Sequence, residues 1–225
     1  MVGFLLRKEP TLHANQLLIY NIIFLGNNNM WSTTLPGDIN PELKAWLTDA
    51  GSMTKRIKKH DQDKPTFKLK LLEEDRGCPI DKDEAIFLDP YEMSETIRYR
   101  RVTLGCFKED WIYGHSLFPK ALAEQFAGLG DKPLGTMLFS DSKTQRIQMD
   151  FQLIDKEHSL YKQIPKSKAS NGEKLWARRS VFSRDGYNLI VYEVFLPALC
   201  KRLEKKAAKN NGAGPSSPGS HHTPK

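Results

Sequence analysis

The sequence predicts an α+β fold with one antiparallel sheet, and three observations support this prediction. About six segments alternate polar and apolar residues as strands do, only a few segments have helical periodicity, and turn signals join neighbouring strands as hairpins. The 225 residues allow one large domain or two small ones. A composition of 39% hydrophobic and 27% charged residues is typical of a globular protein.

Composition divides the chain into three parts. Residues 1–29 contain an apolar stretch that Asn21 interrupts and that is shorter than the roughly 20 apolar residues needed to cross a membrane. Because domain-like sequence starts at Met30, we expect residues 1–29 to be an uncertain N-terminal extension, with translation starting at Met30. The folded domain is expected over residues 30–200. The basic residues 201–225 are predicted to form a disordered tail, although a short helix could continue into its first residues.

Helices are predicted where apolar residues recur every three or four positions. Asn40 can cap a helix over residues 41–50, whose apolar side chains share one face, and Gly51 ends it. Residues 52–57 are positioned to open a second helix. Residues 120–129 have the spacing of a third helix.

Strands account for most of the remaining domain. The acidic stretch 73–89 contains glycine and proline and is interpreted as a loop, while residues 147–154 leave helix and strand open. Arg184-Asp185-Gly186 is a hairpin signal between the last two strands. The other predicted strands are residues 67–71, 96–106, 111–118, 175–182 and 189–195.

The net charge of +7 comes mainly from one end of the chain. Residues 201–225 hold six basic residues against one acidic residue, whereas residues 1–200 carry only +2. A nearly neutral body is not the composition of a nucleic-acid-binding domain, so we expect no nucleic-acid partner. Three cysteines without a CxxC pair match neither a disulfide framework nor a zinc site, and they fit a reduced, cytoplasmic protein.

Glu193 is the most informative single residue, because it lies in an otherwise apolar strand. With a period of two it shares a face with Leu189, Val191 and Phe195. If that face is solvated, Glu193 has no special meaning. An all-apolar strand indicates burial on both faces, however, and a buried carboxylate needs a charged or hydrogen-bonding partner. Glu193 is therefore a candidate functional residue.

Arginines in two strands are the second group of candidates. Arg98 and Arg100 share a face with apolar residues, and Arg101 points the other way. A solvated row is the usual meaning of such a pattern, but a guanidinium on an apolar face is also well suited to bind a carboxylate. Arg178 and Arg179 fall on opposite faces of another strand, where structural or surface roles are the simpler interpretation.

Motifs for common cofactors are missing from the sequence. It contains no GxGxxG, Walker, GxSxG or HExxH pattern, and no recognisable Ser-His-Asp arrangement. If the protein is an enzyme, we expect its reaction to need no cofactor and no metal.

Five motifs, in order along residues 42–198, resemble the chorismate lyase (chorismate–pyruvate lyase) family. Each is weak alone, and together they are specific. They are Ser52-Met53-Thr54-Lys55-Arg56, Arg100-Arg101-Val102 with Trp111 eleven residues on, Pro133-Leu134-Gly135, Trp176-Ala177-Arg178-Arg179-Ser180 and Glu193-Val194-Phe195-Leu196-Pro197.

The resemblance implies a monomeric cytoplasmic lyase without stable membrane insertion. Such an enzyme converts chorismate to 4-hydroxybenzoate and pyruvate, the first committed step of ubiquinone biosynthesis, in an internal pocket beneath helical flaps. The backbone N–H groups of Met53 and Leu134, with the guanidinium of Arg100, are implied to receive the ring carboxylate. Glu193 is implied to face the ring hydroxyl, which makes Arg100 and Glu193 the implied catalytic residues.

One position departs from the family pattern. The family commonly has an arginine that helps to bind the enolpyruvyl carboxylate where this chain has His115. His115 is therefore carried over as a substrate-binding candidate. An ordinary histidine pKa of about 6.5 leaves the ring mostly neutral at pH 7. Either a neighbouring anion raises that pKa, or another cation such as Arg179 takes over the role.

The alternative function is a non-catalytic domain of the same fold that binds a small aromatic acid. The effector domains of some bacterial transcription regulators resemble this fold and follow a winged-helix DNA-binding domain. Residues 1–40 are too short for such a domain, and the body of the chain is nearly neutral. We expect the enzyme rather than the regulator.

Overall fold

A six-stranded antiparallel sheet organises the protein. The computed structural model describes residues 30–60, 66–77, 79–88, 97–126, 129–130, 132–140, 142–169 and 172–212. The strand order is β1-β2-β3-β6-β5-β4, and every neighbouring pair is antiparallel, so the predicted α+β class is confirmed. The strands are β1 (Lys68–Arg76), β2 (Arg98–Cys106), β3 (Glu109–Phe118), β4 (Thr144–Ile154), β5 (Leu175–Arg184) and β6 (Tyr187–Phe195).

Helices lie before, between and after the strands. Within the described residues, two precede β1, and one long helix follows β6. In chain order the helices are α1 (Pro41–Leu47), α2 (Met53–His60), α3 (Lys82–Leu88), α4 (Lys120–Ala123), α5 (Gly135–Leu138), α6 (Ser159–Lys162) and α7 (Pro197–Gly212).

The start of α1 is capped as the sequence predicts. The side chain of Asn40 accepts hydrogen bonds from the backbone N–H groups of Glu42 and Leu43, at 2.9 and 3.2 Å. The helix ends at Leu47 rather than at residue 50. The carbonyl oxygens of Leu47, its last residue, and of Asp49 in the following loop accept hydrogen bonds from an arginine of the sheet, Arg178.

The acidic stretch 73–89 is only partly a loop, and the prediction there was wrong. Strand β1 continues because Glu73 accepts hydrogen bonds from the Tyr99 hydroxyl at 2.7 Å and from Arg101 at 2.5 Å on the neighbouring strand. Helix α3 then starts with a capping box, in which Asp81 and Glu84 each accept the other's backbone N–H. That Asp-x-x-Glu signal is present in the sequence and was missed.

Two further segments can be compared with the prediction: one that the sequence leaves open and one predicted as a helix. The open segment 147–154 is part of strand β4. The helix predicted over residues 120–129 ends after one turn, since α4 covers only Lys120–Ala123. Pro119 precedes that turn and offers no side-chain cap. Phe126 and Leu129 are nevertheless buried, as the periodicity requires.

Two tight turns join adjacent strands. Phe107 and Lys108 have φ angles of 55° and 63°, and Asp185 and Gly186 have φ angles of 49° and 84°. Two consecutive positive φ angles are typical of the two-residue turns that match the twist of a hairpin. The predicted Arg184-Asp185-Gly186 hairpin is thereby confirmed.

A helix continues beyond residue 200, as the sequence allowed for the first residues of the tail. Helix α7 runs to Gly212, because Leu199 and Leu203 are fully buried in the cluster that also contains α1 and α2. The expectations for residues 1–29 and 213–225 lie outside the described residues. Over the described ranges, no helix has the length and apolarity to cross a membrane.

Over the described residues, the apolar core consists of three clusters on two faces of the sheet. One face packs with α3 and α6. The other face carries two clusters, one with α1, α2 and α7 and the other with α4 and α5. A cavity lies between these last two clusters, beneath the loop that joins α1 to α2 and beneath α5. The predicted internal pocket under helical segments is therefore present.

Gly105 permits a close backbone contact that should be measurable as stability. A Cβ at this position would lie 1.9 Å from the carbonyl oxygen of Glu109, next to the irregularity in the β2–β3 pairing. We expect Gly105→Ala to lower the free energy of unfolding by about 3 kcal/mol, at the upper end of overpacking costs. Urea unfolding monitored by fluorescence measures this change. Gly37→Ala is the matched control, because its Cβ meets no atom within 4 Å, and an equal loss there would contradict the explanation.

Candidate active site

The cavity is built from both sheet and helices. Strands β2, β3 and β6 each contribute two or more residues to its wall, and β1, β4 and β5 contribute one residue each. The α1–α2 loop and α5 form the roof. Most of the wall is apolar, as is usual for sites that bind small molecules. The polar side chains that line it are Ser52, Thr54, Arg100, Ser116, Arg146 and Glu193.

Glu193 lies on the cavity wall, as its strand pattern predicts. Its side chain is only 12% exposed, and its Oε2 accepts hydrogen bonds from Arg178, at 2.7 Å from Nε and 2.5 Å from Nη2. Among the described residues, Oε1 has no hydrogen-bond donor. Gly114 lies opposite Glu193 on β3 and carries no side chain, so the space beside this oxygen stays open.

Arg178 is fully buried and connects the sheet to the roof. It lies opposite Glu193 on the neighbouring strand, and its Nη1 donates to the carbonyl oxygens of Leu47 at 3.1 Å and Asp49 at 2.6 Å. The sequence alone favoured a structural or surface role for this residue. Arg178 is directly opposite Glu193 in the β5–β6 pairing. Had this register been known, the need of Glu193 for a partner would have identified Arg178.

Arg100 also lies in the cavity wall, with 2% of its surface exposed. Its guanidinium donates to the carbonyl oxygens of Gly130 at 2.5 Å and Lys132 at 3.1 Å. These carbonyls belong to the segment that leads into α5. Arg100 therefore holds that part of the roof and at the same time presents a positive charge to the cavity.

Met53 and Leu134 mark two helix starts at the same cavity. Met53 is the first residue of α2, and Leu134 directly precedes α5 and accepts hydrogen bonds from its backbone. The first N–H groups of a helix have no acceptor within the helix and favour an anion. The two segments touch, because a Cβ on Gly135 would lie 2.9 Å from Ser52 Oγ. Both candidate residues are thus brought together beside Arg100.

Arg146 is a cavity residue that the sequence analysis missed. Its Nη1 donates to the carbonyl oxygen of Ala50 at 2.6 Å, and its guanidinium lies 4.8 Å from the ring centre of Phe182. Burial, and then the charge of Arg178, lower the pKa of Arg146 to about 10, so it stays cationic at pH 7. In sequence it belongs to a polar run with no feature that distinguishes it from a solvated loop.

His115 does not lie at this cavity. Gly114 and Ser116 line the cavity, so the side chain between them points to the opposite face of the sheet. There its ring lies between Tyr99 and Tyr192, 6.1 Å from each ring centre. Burial, and then the charge of Arg101, lower the pKa of His115 to about 3, which is the opposite of the shift that carboxylate binding would need.

Arg179 does not replace His115 at the cavity either. It lies on the same opposite face, where its Nε and Nη2 donate to Asp150 Oδ2 at 3.1 and 2.9 Å, and both side chains are buried. Its charge is already compensated. The cavity is lined instead by the guanidinium groups of Arg100 and Arg146 and by the carboxylate of Glu193, which is already paired with Arg178 behind the wall. This excess of positive charge suits an anionic ligand.

The arrangement lacks a cluster of metal ligands in the part of the chain that the structure describes. No three His, Cys, Asp or Glu side chains there come together in a way that could hold a metal ion.

Known proteins resemble this chain over nearly the whole described domain. The family model described as chorismate lyase matches residues 25–205. A probable chorismate pyruvate-lyase of Thiobacillus denitrificans is 33% identical over 161 residues, which are 70% of this chain and 83% of the relative. A protein of the same name from Cupriavidus metallidurans is 32% identical over 206 residues, covering 86% of this chain and 92% of the relative.

Solved structures are more distant. The gene product SA0254 of Staphylococcus aureus covers 67% of this chain and 90% of its own, with a TM-score of 0.47 and 13% identity. The effector domain of PhnF from Mycobacterium smegmatis covers 66% and 90%, with a TM-score of 0.45 and 13% identity. TM-scores below 0.5 at such identities are too low to transfer a function.

Loss of Arg178 should destabilise the fold through Glu193. We expect Arg178→Met to lower the free energy of unfolding by about 3–5 kcal/mol, because it leaves a mostly buried carboxylate unpaired. Adding Glu193→Leu to the same chain should recover a large part of this loss. Arg101→Met is the matched control, since its pair with Glu73 is partly exposed and should contribute less than about 1 kcal/mol. Equal losses from the two arginines in urea unfolding would contradict the explanation.

Burial of His115 predicts sensitivity to acid. The unfolded state binds a proton near pH 6.5 and the folded state only near pH 3, so protonation favours unfolding between these values. Stability is retained above pH 6.5 and lost as the pH falls, with a slope of up to about 1.4 kcal/mol per pH unit from this residue. We expect His115→Phe to reduce that slope in urea unfolding at pH 4.5, 5.5 and 7.5. An unchanged slope in the variant would show that His115 is not the group responsible.

Proposed function

Since this chain belongs to the chorismate lyase family, we propose that it cleaves chorismate to 4-hydroxybenzoate and pyruvate, the first committed step of ubiquinone biosynthesis. The observation that carries the proposal is the cavity itself. It combines an excess of guanidinium groups with one carboxylate, Glu193, whose Oε1 has no donor among the described residues. Chorismate carries two carboxylates and a ring hydroxyl, which correspond to these groups in charge and hydrogen bonding.

The reaction requires few chemical groups from the protein. The ether bond between the ring and the enolpyruvyl group breaks, and the proton on the adjacent ring carbon leaves. The ring thereby becomes aromatic, which drives the reaction, and the departing enolpyruvate gains a proton to become pyruvate. The protein must orient a dianion, exclude water and stabilise the charge that develops on the departing oxygen. No electron is transferred to or from the protein, so we expect no cofactor.

The ring carboxylate is assigned to Arg100 with the backbone N–H groups of Met53 and Leu134. All three residues line one side of the cavity, where the starts of α2 and α5 meet. Arg100 is almost fully buried, so solvent screens its charge poorly, and the nearby carboxylate of Glu74 lies 3.9 Å from its Nε rather than from the terminal nitrogens. Its hydrogen bonds to Gly130 and Lys132 keep the guanidinium in place before a ligand arrives.

Glu193 is assigned to the ring hydroxyl and to proton transfer. Arg178 binds Oε2 with two nitrogens, so the carboxylate cannot rotate freely and Oε1 remains for the substrate. A general base must be positioned within hydrogen-bond reach of the proton it takes. The pair with Arg178 supplies this positioning.

The enolpyruvyl carboxylate is assigned to Arg146 instead of His115. Arg146 lines the cavity and is cationic at pH 7, whereas His115 is neutral and lies on the other face of the sheet. The role that the family pattern gives to an arginine at position 115 is thus transferred to a different strand. We extend the proposal to a monomeric enzyme with a cytoplasmic location.

Turnover of chorismate by the purified full-length chain tests the proposal. We expect 4-hydroxybenzoate and pyruvate in equal amounts, measured by chromatography and by a coupled lactate dehydrogenase assay. Tight binding of 4-hydroxybenzoate without turnover would support the aromatic-acid-binding domain instead. A different aromatic product would overturn the assigned substrate orientation.

Replacement of Glu193 by Gln should impair chemistry more than folding. We expect Glu193→Gln to lower kcat by about 10²-fold or more, which is the range of general acid–base catalysis, because the amide cannot accept the proton. Thermal unfolding in the same buffer measures the change in stability separately. Glu73→Gln is the matched control, since Glu73 also pairs with an arginine but does not line the cavity. A Glu193→Gln variant with normal kcat would remove this residue from the mechanism.

A further inference from the structure

A second, open groove lies outside the roof of the cavity. It is bounded by α1, the α1–α2 loop, α2 and α7, and we call it the outer groove. The charged side chains that line it are Glu42, Asp49, Lys55, Arg56, Lys59 and Lys206. None of these side chains lines the inner cavity, so none belongs to the site already described.

Positive charge predominates in the outer groove. Its two carboxylates are each paired, Glu42 with Lys206 at 3.1 Å and Asp49 with Arg56. Lys55 and Lys59 are exposed and have no ion pair among the described residues. They lie one turn apart on the same side of α2, so their charges add at one place.

The neighbouring histidine is consistent with this positive potential. His60 lies at the end of α2 and lines the outer groove. Burial lowers its pKa most, and the charges of Lys206, Arg202 and Arg56 lower it further. Protonation of the His60 imidazole is thus disfavoured, as expected beside several cations.

Only a thin wall separates the outer groove from the inner cavity. Gly51 and Ser52 line both spaces, so a single layer of main chain divides them. The carbonyl groups just before this wall accept hydrogen bonds from two arginines of the sheet: Arg178 donates to Asp49 and Arg146 donates to Ala50. Polar contacts from these two arginines therefore help to hold the wall in place.

We propose that the outer groove is an entry site, which captures a small dicarboxylate and delivers it past Gly51 and Ser52 into the inner cavity. The identity of the dicarboxylate as the substrate rests on the proposed function. Lys55 and Lys59 attract the dianion from solution, and the guanidinium groups inside the cavity attract it further inward. Attraction of this kind raises the association rate, and salt weakens it. It leaves the chemical step unchanged.

Charge reversal at the two lysines tests the proposal. We expect Lys55→Glu/Lys59→Glu to lower kcat/KM for chorismate about tenfold at low ionic strength, within the range of electrostatic steering, while kcat stays the same. The difference should shrink when the salt concentration is raised to about 0.5 M, where the Debye length is only a few ångströms. Lys156→Glu/Lys166→Glu is the matched control, because it makes the same change in net charge at exposed lysines far from α2. An equal loss in the control would overturn a local role for the groove.

A second measurement is independent of turnover. Isophthalate is an unreactive dianion, and its association rate can be followed by the fluorescence of Trp46, which lines the outer groove. We expect a rate about tenfold lower in Lys55→Glu/Lys59→Glu than in the unaltered chain or the control variant. Equal rates would overturn the entry site. A slower rate in a protein that does not turn over chorismate would support the groove while refuting the proposed function.

Discussion

The buried pair of Arg178 and Glu193 is the interaction on which the site depends. A buried carboxylate is unfavourable without a partner. A buried arginine partner in turn needs hydrogen-bond acceptors for its remaining N–H groups. Arg178 does both, because its other nitrogen binds the carbonyl oxygens of Leu47 and Asp49. The pairing of β5 with β6 therefore sets the position of the catalytic candidate and of the roof above it.

Hydrogen bonds from an arginine to backbone carbonyl groups of the roof recur at two other places around the cavity. Arg100 binds carbonyl groups of Gly130 and Lys132, and Arg146 binds that of Ala50. Roof segments that leave regular structure have carbonyl groups without backbone partners, and buried guanidinium groups satisfy them. The positive charges that stabilise the roof are then also available to an anion in the cavity. Structural and functional requirements are met by the same side chains.

The two faces of the sheet separate two kinds of buried polar residue. The cavity face carries Arg100, Arg178 and Glu193, while the opposite face carries His115 and the Arg179–Asp150 pair. Side chains alternate between the two faces along a regular strand, so neighbouring residues such as Arg178 and Arg179 have unrelated surroundings. Positions 115 and 179 both face away from the cavity, so a side chain at either position cannot supply a positive charge to it. Arg146, on β4, meets that requirement from another strand.

The sequence by itself determined the class of fold, most strands and the inward position of Glu193 and Arg100, because alternation with a period of two is a local property. The family motifs added Met53 and Leu134, which the structure brings to the same wall. Only the tertiary structure decided that Arg178 binds Glu193, that Arg146 reaches the cavity and that His115 does not. The end of α1 and the extent of α7 were likewise decided by contacts with distant residues. The physical reason is that a buried charge is defined by its partners, and strand pairing and loop closure choose those partners from segments up to 131 positions away in the chain.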